Sequence, residues 1–422
     1  MMGHSFAELF RSFLISKSIP TSAYGIIQAN PERSKHLETA TLTIYGYPID
    51  FVNLRAESYS MKSRIPVVKF GTPLEDALRR DITINALFYN IMTEEVEDFC
   101  GTGFNDLEMG IIRTPLRPKE TLMDDPLRLL RVIRFATRFR FQVEPTLMLA
   151  ISDIEVDGAF RSKISRERVG KELDKILRDT HAFDGIMMLN RLRVFNLVFD
   201  IPNEVLESKN CSLPLHSTIE TILQLYEQTA NLIKASKVSH YDLRLSLLCH
   251  CLLPHAGIMM KIPGKKPEPL VSMIVRDSLK FSNQDTCDVT RLLNLADSVR
   301  ELVLNSDNVS PAQWGRMIRS LGRHWRIAFH LASVQSILIE KSNKNANLII
   351  EAIELIQKLH LDSSWDWRPL LSGNEVKRLF NLKEGRSIGK LMTALLDWQY
   401  EHPDGSKSEA LQYIRSNKES IL

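Results

Sequence analysis

No stretch of this 422-residue chain approaches eighteen consecutive apolar residues, so no helical membrane span is expected. The opening residues, Met1-Met2-Gly3-His4-Ser5-Phe6, lack the basic, apolar and small-residue order of a secretory signal. Cysteine is scarce. The five present, Cys100, Cys211, Cys249, Cys251 and Cys287, are odd in number and scattered. That excludes a disulfide scaffold and points to reduced thiols inside a cell. Cys249-His250-Cys251 with His255 offers metal-ligand residue types, but it lies on an apolar helical pattern without a second ligand cluster, and a buried helix is the expected reading. Excess charge is also small: 54 Lys and Arg against 51 Asp and Glu give a net +3. Any basic surface must therefore be local. Residues 111 to 141 supply one, with eight basic residues against three acids.

With 44% hydrophobic and 25% charged residues, the chain has the profile of a globular protein of several packed units. Residues 5 to 16 read as an amphipathic helix with Ser5 as its cap. Strand patterns follow at 23 to 28, 38 to 45 and 48 to 54, the last two joined by a hairpin at Gly46-Tyr47. After a polar connection, Leu74 to Asn90 reads as a helix with Ile82, Ile84, Leu87 and Phe88 buried, and Glu95 to Phe99 as a short strand. From Pro118 the strand signals stop. Helical patterns then occupy 126–140, 145–153, 165–178, 182–192, 215–235, 240–252, 267–280, 284–304, 310–340, 345–360, 373–380 and 387–401. The expected class is α+β, a small mixed head followed by an all-helical remainder.

Three charged motifs fall within Leu74 to Phe141. They read Arg79-Arg80-Asp81-Ile-Thr-Ile-Asn85-Ala86, Asp106-Leu-Glu-Met-Gly110-Ile-Ile-Arg113 and Asp124-Asp125-Pro126-Leu127-Arg128. The last opens a helical pattern in which Arg128, Arg131, Arg134 and Arg138 share one side and Leu129, Val132, Ile133 and Ala136 the other, so that one face packs and the other is free to meet an anion. In order and spacing the three resemble the class II tRNA nucleotidyltransferases, the CCA-adding enzymes, and their bacterial poly(A) polymerase relatives. Pro31-Glu32-Arg33-Ser34-Lys35-His36-Leu37-Glu38-Thr39-Ala40-Thr41 and Asp50-Phe51-Val52-Asn53-Leu54-Arg55 resemble the fungal branch. Leu371-Ser372-Gly373-Asn374-Glu375, Gly385 and Ile388-Gly389-Lys390 resemble the family's tail signature.

The resemblance implies a nucleotidyltransferase head over 1–116, a helical neck over 117–200, and a tRNA-binding body and tail over 201–422. It implies tRNA, CTP and ATP as partners, Mg2+ as cofactor, and a cytoplasmic, mitochondrial or nuclear setting. Poly(A) polymerase activity and non-catalytic RNA binding are the alternatives. Cytosine and adenine both present an amino donor beside a ring-nitrogen acceptor, whereas uracil and guanine reverse the order. A fixed carboxylate beside a fixed guanidinium therefore selects C and A, the role the family implies for Asp125 and Arg128. The competing reading makes Asp125 a helix N-cap ahead of Pro126. By the same resemblance Arg131 and Arg134 bind nucleotide, against a solvated stripe; Arg80 meets its phosphates or base; and Asp81 with Asn85, four apart on one helical face, hold the ribose. Asp106 to Arg113 reads as a structural turn. Asp50, a carboxylate in mid-strand where an unpaired charge is costly, is either a metal-binding catalytic residue or a buried hydrogen-bonded one. The family's Gly-Gly-x-x-Arg-Asp turn and its Asp-x-Asp metal motif occur nowhere in the sequence. The head is therefore expected to be N-terminally incomplete, and the chain alone inactive in transfer.

Overall fold

The computed structural model describes all residues except 1–2, 22–24, 28–38, 61–62, 203–204, 206–214, 230–239, 262–263, 265, 341–343 and 383–384. The segment Pro31 to Glu38, Cys211, and the ends of the predicted strand 23–28 and helix 215–235 lie outside the described residues. Two compact units emerge, Met1–Asp200 and Ile201–Leu422.

In the first unit α1 (Gly3–Ser16) covers an antiparallel sheet of order β1 (Gly25–Ile27), β2 (Thr39–Ile44) and β3 (Tyr47–Phe51). Ser5 lies inside α1 and is not its cap. The period-2 alternation of β2 buries Ala40, Leu42 and Ile44. Leu42, Ile44 and Leu14 of α1 form one core cluster. The hairpin turns at Tyr45 and Gly46, with φ of 49° and 83°, the two left-handed positions a two-residue turn requires.

The polar connection predicted after residue 54 is instead a second hairpin, β4 (Arg55–Ser60) with β5 (Ser63–Phe70). Its first strand, Arg-Ala-Glu-Ser-Tyr-Ser, carries almost no apolar alternation, so the strand signal is missing from the sequence. The predicted helix over 74 to 90 also fails. Helix α2 spans only Pro73–Leu78, followed by a 3-10 turn Thr83–Asn85 and a strand β6 (Phe88–Asn90) that pairs with β7 (Glu95–Glu97). One local and one long-range bond capture the backbone: the Asp81 carboxylate accepts from the Ile82 amide at 3.1 Å, and the Thr83 amide donates to the Arg113 carbonyl at 2.9 Å. Of the four apolar residues predicted buried there, Ile82 is fully so; Ile84, Leu87 and Phe88 are half-buried.

The helices that follow are α3 (Gly103–Met109), α4 (Pro118–Asp124), α5 (Arg128–Phe139), α6 (Pro145–Ile151), α7 (Ile154–Lys163), α8 (Arg166–Leu177), α9 (Ala182–Arg191) and α10 (Phe195–Phe199). Helix α3 ends at Gly110, φ 67°, where a Cβ would stand 3.3 Å from the Phe141 ring. The short strands β8 (Ile111–Ile112) and β9 (Gln142–Val143) run parallel. Leu129, Leu130, Val132 and Ile133 of α5 are fully buried, and this helix is the centre of the unit.

The second unit is mostly helical, as expected, but a short antiparallel pair, Met259–Met260 with Glu268–Pro269, takes the start of the predicted helix 267–280, which begins only at Leu270. The predicted helix 310–340 is broken at Gly322, φ 72°, into Pro311–Leu321 and Trp325–Glu340, and a further helix, Lys407–Ile421, ends the chain. The tail signature folds into a capping box, Ser372 with Glu375. Cys249, His250 and Cys251 are all fully buried in helix His240–Leu252.

The His250 ring lies 4.6 Å from that of His330 in that interior, the two planes tilted by 49°. Its Nδ1 lies 2.7 Å from the Ser246 carbonyl, and His330 Nε2 lies 2.6 Å from Thr229 Oγ1. Burial pushes the His250 imidazole down to about 4 and that of His330 well below its usual value. A base whose folded pKa is depressed gives stability that is complete above its unfolded pKa of about 6.5 and lost as the pH falls toward the folded value. The thermal midpoint of the second unit is expected to drop between about pH 6.5 and pH 4, a window set by these shifts. A pH series of melting curves checks this, and His250→Asn should flatten the acid limb.

Candidate nucleotide site

The first motif is organised by Asp76, which is almost wholly buried. Its Oδ1 accepts from the Arg55 amide at 3.1 Å and Arg79 Nε at 2.9 Å, and its Oδ2 from Arg80 Nη2 at 2.9 Å. Burial alone would raise its pKa, but the hydrogen bonds and charge of Arg79, with the hydrogen bonds from Arg80 and the Arg55 amide, outweigh it and hold the carboxyl below its ordinary value. Arg80 also donates to the Asn85 carbonyl at 2.9 Å and stacks on Phe88, 4.9 Å from the ring centroid.

Asp81 and Asn85 do meet, although no helix brings them together. The bend after α2 sets Asn85 Nδ2 3.2 Å from Asp81 Oδ1. The other oxygen, Oδ2, accepts from Arg131 Nε at 2.8 Å, closing a gap of fifty residues between the first and third motifs. Helix α8 supplies a second carboxylate, Glu172, 4% exposed. It accepts from Arg134 Nε at 2.9 Å and Lys175 Nζ at 2.8 Å, and it lies 3.8 Å from Arg131 Nη1.

The predicted basic stripe of α5 is therefore not one solvent-facing surface. At about 100° per residue, Arg128 and Arg134 sit about 120° apart at the two edges of the stripe, and both turn inward, 7% and 8% exposed. Arg131 and Arg138 lie between them on the outer side. Arg131 and Arg134 are each paired with a carboxylate, Asp81 and Glu172, so neither belongs to a merely solvated stripe.

Arg128 donates to the Thr121 carbonyl at 3.1 Å and to the Arg79 carbonyl, and so binds α4 and the first motif to α5. Asp125 is extended, φ −136°. Its Oδ1 accepts from the Leu127 amide at 3.3 Å, capping the turn ahead of α5, whereas the helix's own N-cap position is Leu127. Its Oδ2 accepts from Arg168 Nη2 at 2.6 Å. A carboxylate has about four acceptor sites and a guanidinium five donors, so each retains capacity for a ligand. Asp106, fully buried, accepts from Thr83 Oγ1 at 2.7 Å and lies 3.4 Å from Arg113 Nε, in keeping with a structural turn.

Asp50 departs from expectation. It is exposed on β3 and accepts from Thr41 Oγ1 at 2.6 Å, so no buried charge needs compensation. Among the described residues no group of three or more His, Cys, Asp or Glu is placed to hold a metal ion. A lone exposed carboxylate does not fit a Mg2+ site of the kind phosphoryl transfer uses.

Asp76, Arg168 and Glu172 were not singled out in the sequence. Arg168 and Glu172 are four apart, one turn on a single face of α8, but such spacing also describes an ordinary solvated face.

Residues 1–113 match the family model of the Poly A polymerase head domain. The chain is 35% identical, over 99% of its length and 85% of the relative's, to the mitochondrial CCA tRNA nucleotidyltransferase of Candida glabrata. The chain belongs to the CCA tRNA nucleotidyltransferase family. The mitochondrial member from Saccharomyces cerevisiae is 34% identical, over 92% of this chain and 77% of its own. Solved CCA-adding enzymes share the fold: an apo form superposes with a TM-score of 0.67 at 20% identity over 99% of this chain and 85% of that one, and a complex with ATP gives 0.65 at 19%, over 99% and 84%.

Glu172 balances Arg134 and Arg131 of α5 and Lys175 of its own helix in a nearly dry setting. Glu172→Gln is expected to cost about 3 kcal/mol, because it leaves buried guanidinium charge uncompensated. Pairing Glu172→Leu with Arg134→Met should recover much of that loss. Chemical denaturation of the three proteins checks it.

Proposed function

We propose that this chain selects the nucleotide for the tRNA nucleotidyltransferase reaction of its family: it binds CTP and ATP in preference to UTP and GTP, and holds tRNA for addition of C and A to its 3′ end. The observation that carries the reading is the fixed placement of Asp125 and Arg128, each anchored by protein partners yet each with unused hydrogen-bonding capacity. Asp125 accepts from the exocyclic amine of C or A, and Arg128 donates to the adjacent ring nitrogen. Asp81 and Asn85 hold the ribose, with Arg80, Arg131 and Arg134 supplying positive charge for the triphosphate. Mg2+ belongs to the chemistry of the family, and the cluster of carboxylates it needs is not among these residues. Two relatives are named as mitochondrial, and a mitochondrial setting fits this chain as well.

Asp125→Ala is expected to reduce the preference for CTP over UTP in equilibrium binding by about tenfold, from the loss of one directional contact worth roughly 1–3 kcal/mol. If Asp125 only capped the turn, the melting temperature would fall while the binding ratio stayed unchanged. Affinity for tRNA is expected to drop steeply between about 50 and about 200 mM salt, since an A-form acceptor exposes phosphates and hydroxyls rather than readable base edges. Binding that ignores salt over that range would contradict a phosphate-led contact.

A further inference from the structure

The nucleotide site uses only part of α5. On the outer side of the same helix, Phe135 and Phe139 lie parallel, with ring centroids 5.9 Å apart and planes 8° from coplanar. Guanidinium groups flank them: Arg131 lies 5.5 Å and Arg134 4.1 Å from the Phe135 centroid, and Arg138 lies 5.9 Å from that of Phe139. Phe141 extends the aromatic run, 5.6 Å from Phe139. Phe139 is 44% exposed, and Arg138 and Arg140 are exposed beside it. The apolar face of α5 is already filled by Leu129, Leu130, Val132 and Ile133, so these rings are not the core side of the helix. Among the described residues no ion pair engages Arg138 or Arg140.

We propose that this outer face of α5, from Arg131 to Phe139, is the docking track for the unpaired 3′-terminal nucleotides of the acceptor RNA, with a base stacked on Phe139 and a phosphate met by Arg138. The proposal rests on the tRNA reading above and adds a subsite to it. Three observations favour this occupant. Flat rings interleaved with guanidinium groups bind single-stranded nucleic acid through base stacking and phosphate charge together. The exposed charges are all positive, which complements a polyanion. The track is also continuous with the nucleotide site through Arg131, whose carboxylate partner is the proposed ribose ligand Asp81. From Arg131 to Arg138 the helix rises about 10 Å, the length of about three nucleotides stacked at about 3.4 Å each. An incoming nucleotide at Asp81 and a strand end along the track would therefore lie next to each other.

The test is equilibrium binding of the full chain to two RNAs: a tRNA transcript with unpaired nucleotides beyond the acceptor stem, and the same transcript trimmed flush with its last base pair. Wild type should prefer the first by about tenfold, the scale of stacking one base. Phe139→Leu keeps an apolar side chain but removes the π face, and it should abolish the preference while leaving affinity for the flush tRNA unchanged. Phe139→Tyr should retain it. Arg138→Gln should weaken the unpaired-end tRNA and reduce the salt dependence of its binding by about one counterion. A preference that survives in Phe139→Leu, or wild type binding both RNAs equally, overturns the track while leaving the tRNA reading in place. Failure of wild type to bind either RNA overturns both.

Discussion

The ion pair between Asp81 and Arg131 is the contact on which the site depends. It joins the bend after α2 to the first turn of α5, and the Arg128 bonds to the Arg79 carbonyl and to α4 reinforce the junction at the start of the helix. A guanidinium this enclosed is costly without compensation, so burial of α5 commits the surrounding chain to supply carboxylates and carbonyls. Glu172 meets that demand from α8, and Arg168, one turn away on the same helix, reaches Asp125. One helix thus braces Arg134 and Asp125 together.

Rigidity has a functional reason here. Discrimination between bases that differ in donor order requires donors and acceptors that cannot swing to accommodate the wrong partner. Arg128 has lost that freedom to two backbone carbonyls, and Asp125 to an amide and an arginine.

What the sequence disclosed and what it concealed follow from the range of the interactions. The α+β head, the helical remainder, the β2–β3 hairpin and the buried side of α5 depend on periodicity and turn chemistry, which are local. The meeting of Asp81 with Asn85 was foreseen for the wrong reason, since a bend replaces the helix. The partners of α5 were invisible because Asp81, Arg79 and Glu172 lie between thirty-eight and fifty residues away, and nothing in a charge stripe tells whether carboxylates elsewhere will fold onto it. Asp50 was misjudged because mid-strand position suggested burial, whereas β3 keeps that position exposed.

The account stands most directly on where a bound base lies. A crystal structure of the chain with CTP should place the cytosine amino group about 3 Å from an Asp125 carboxylate oxygen and the ring N3 within similar reach of the Arg128 guanidinium, with the ribose against Asp81 and Asn85. A cytosine bound with neither side chain at its Watson–Crick edge would contradict it.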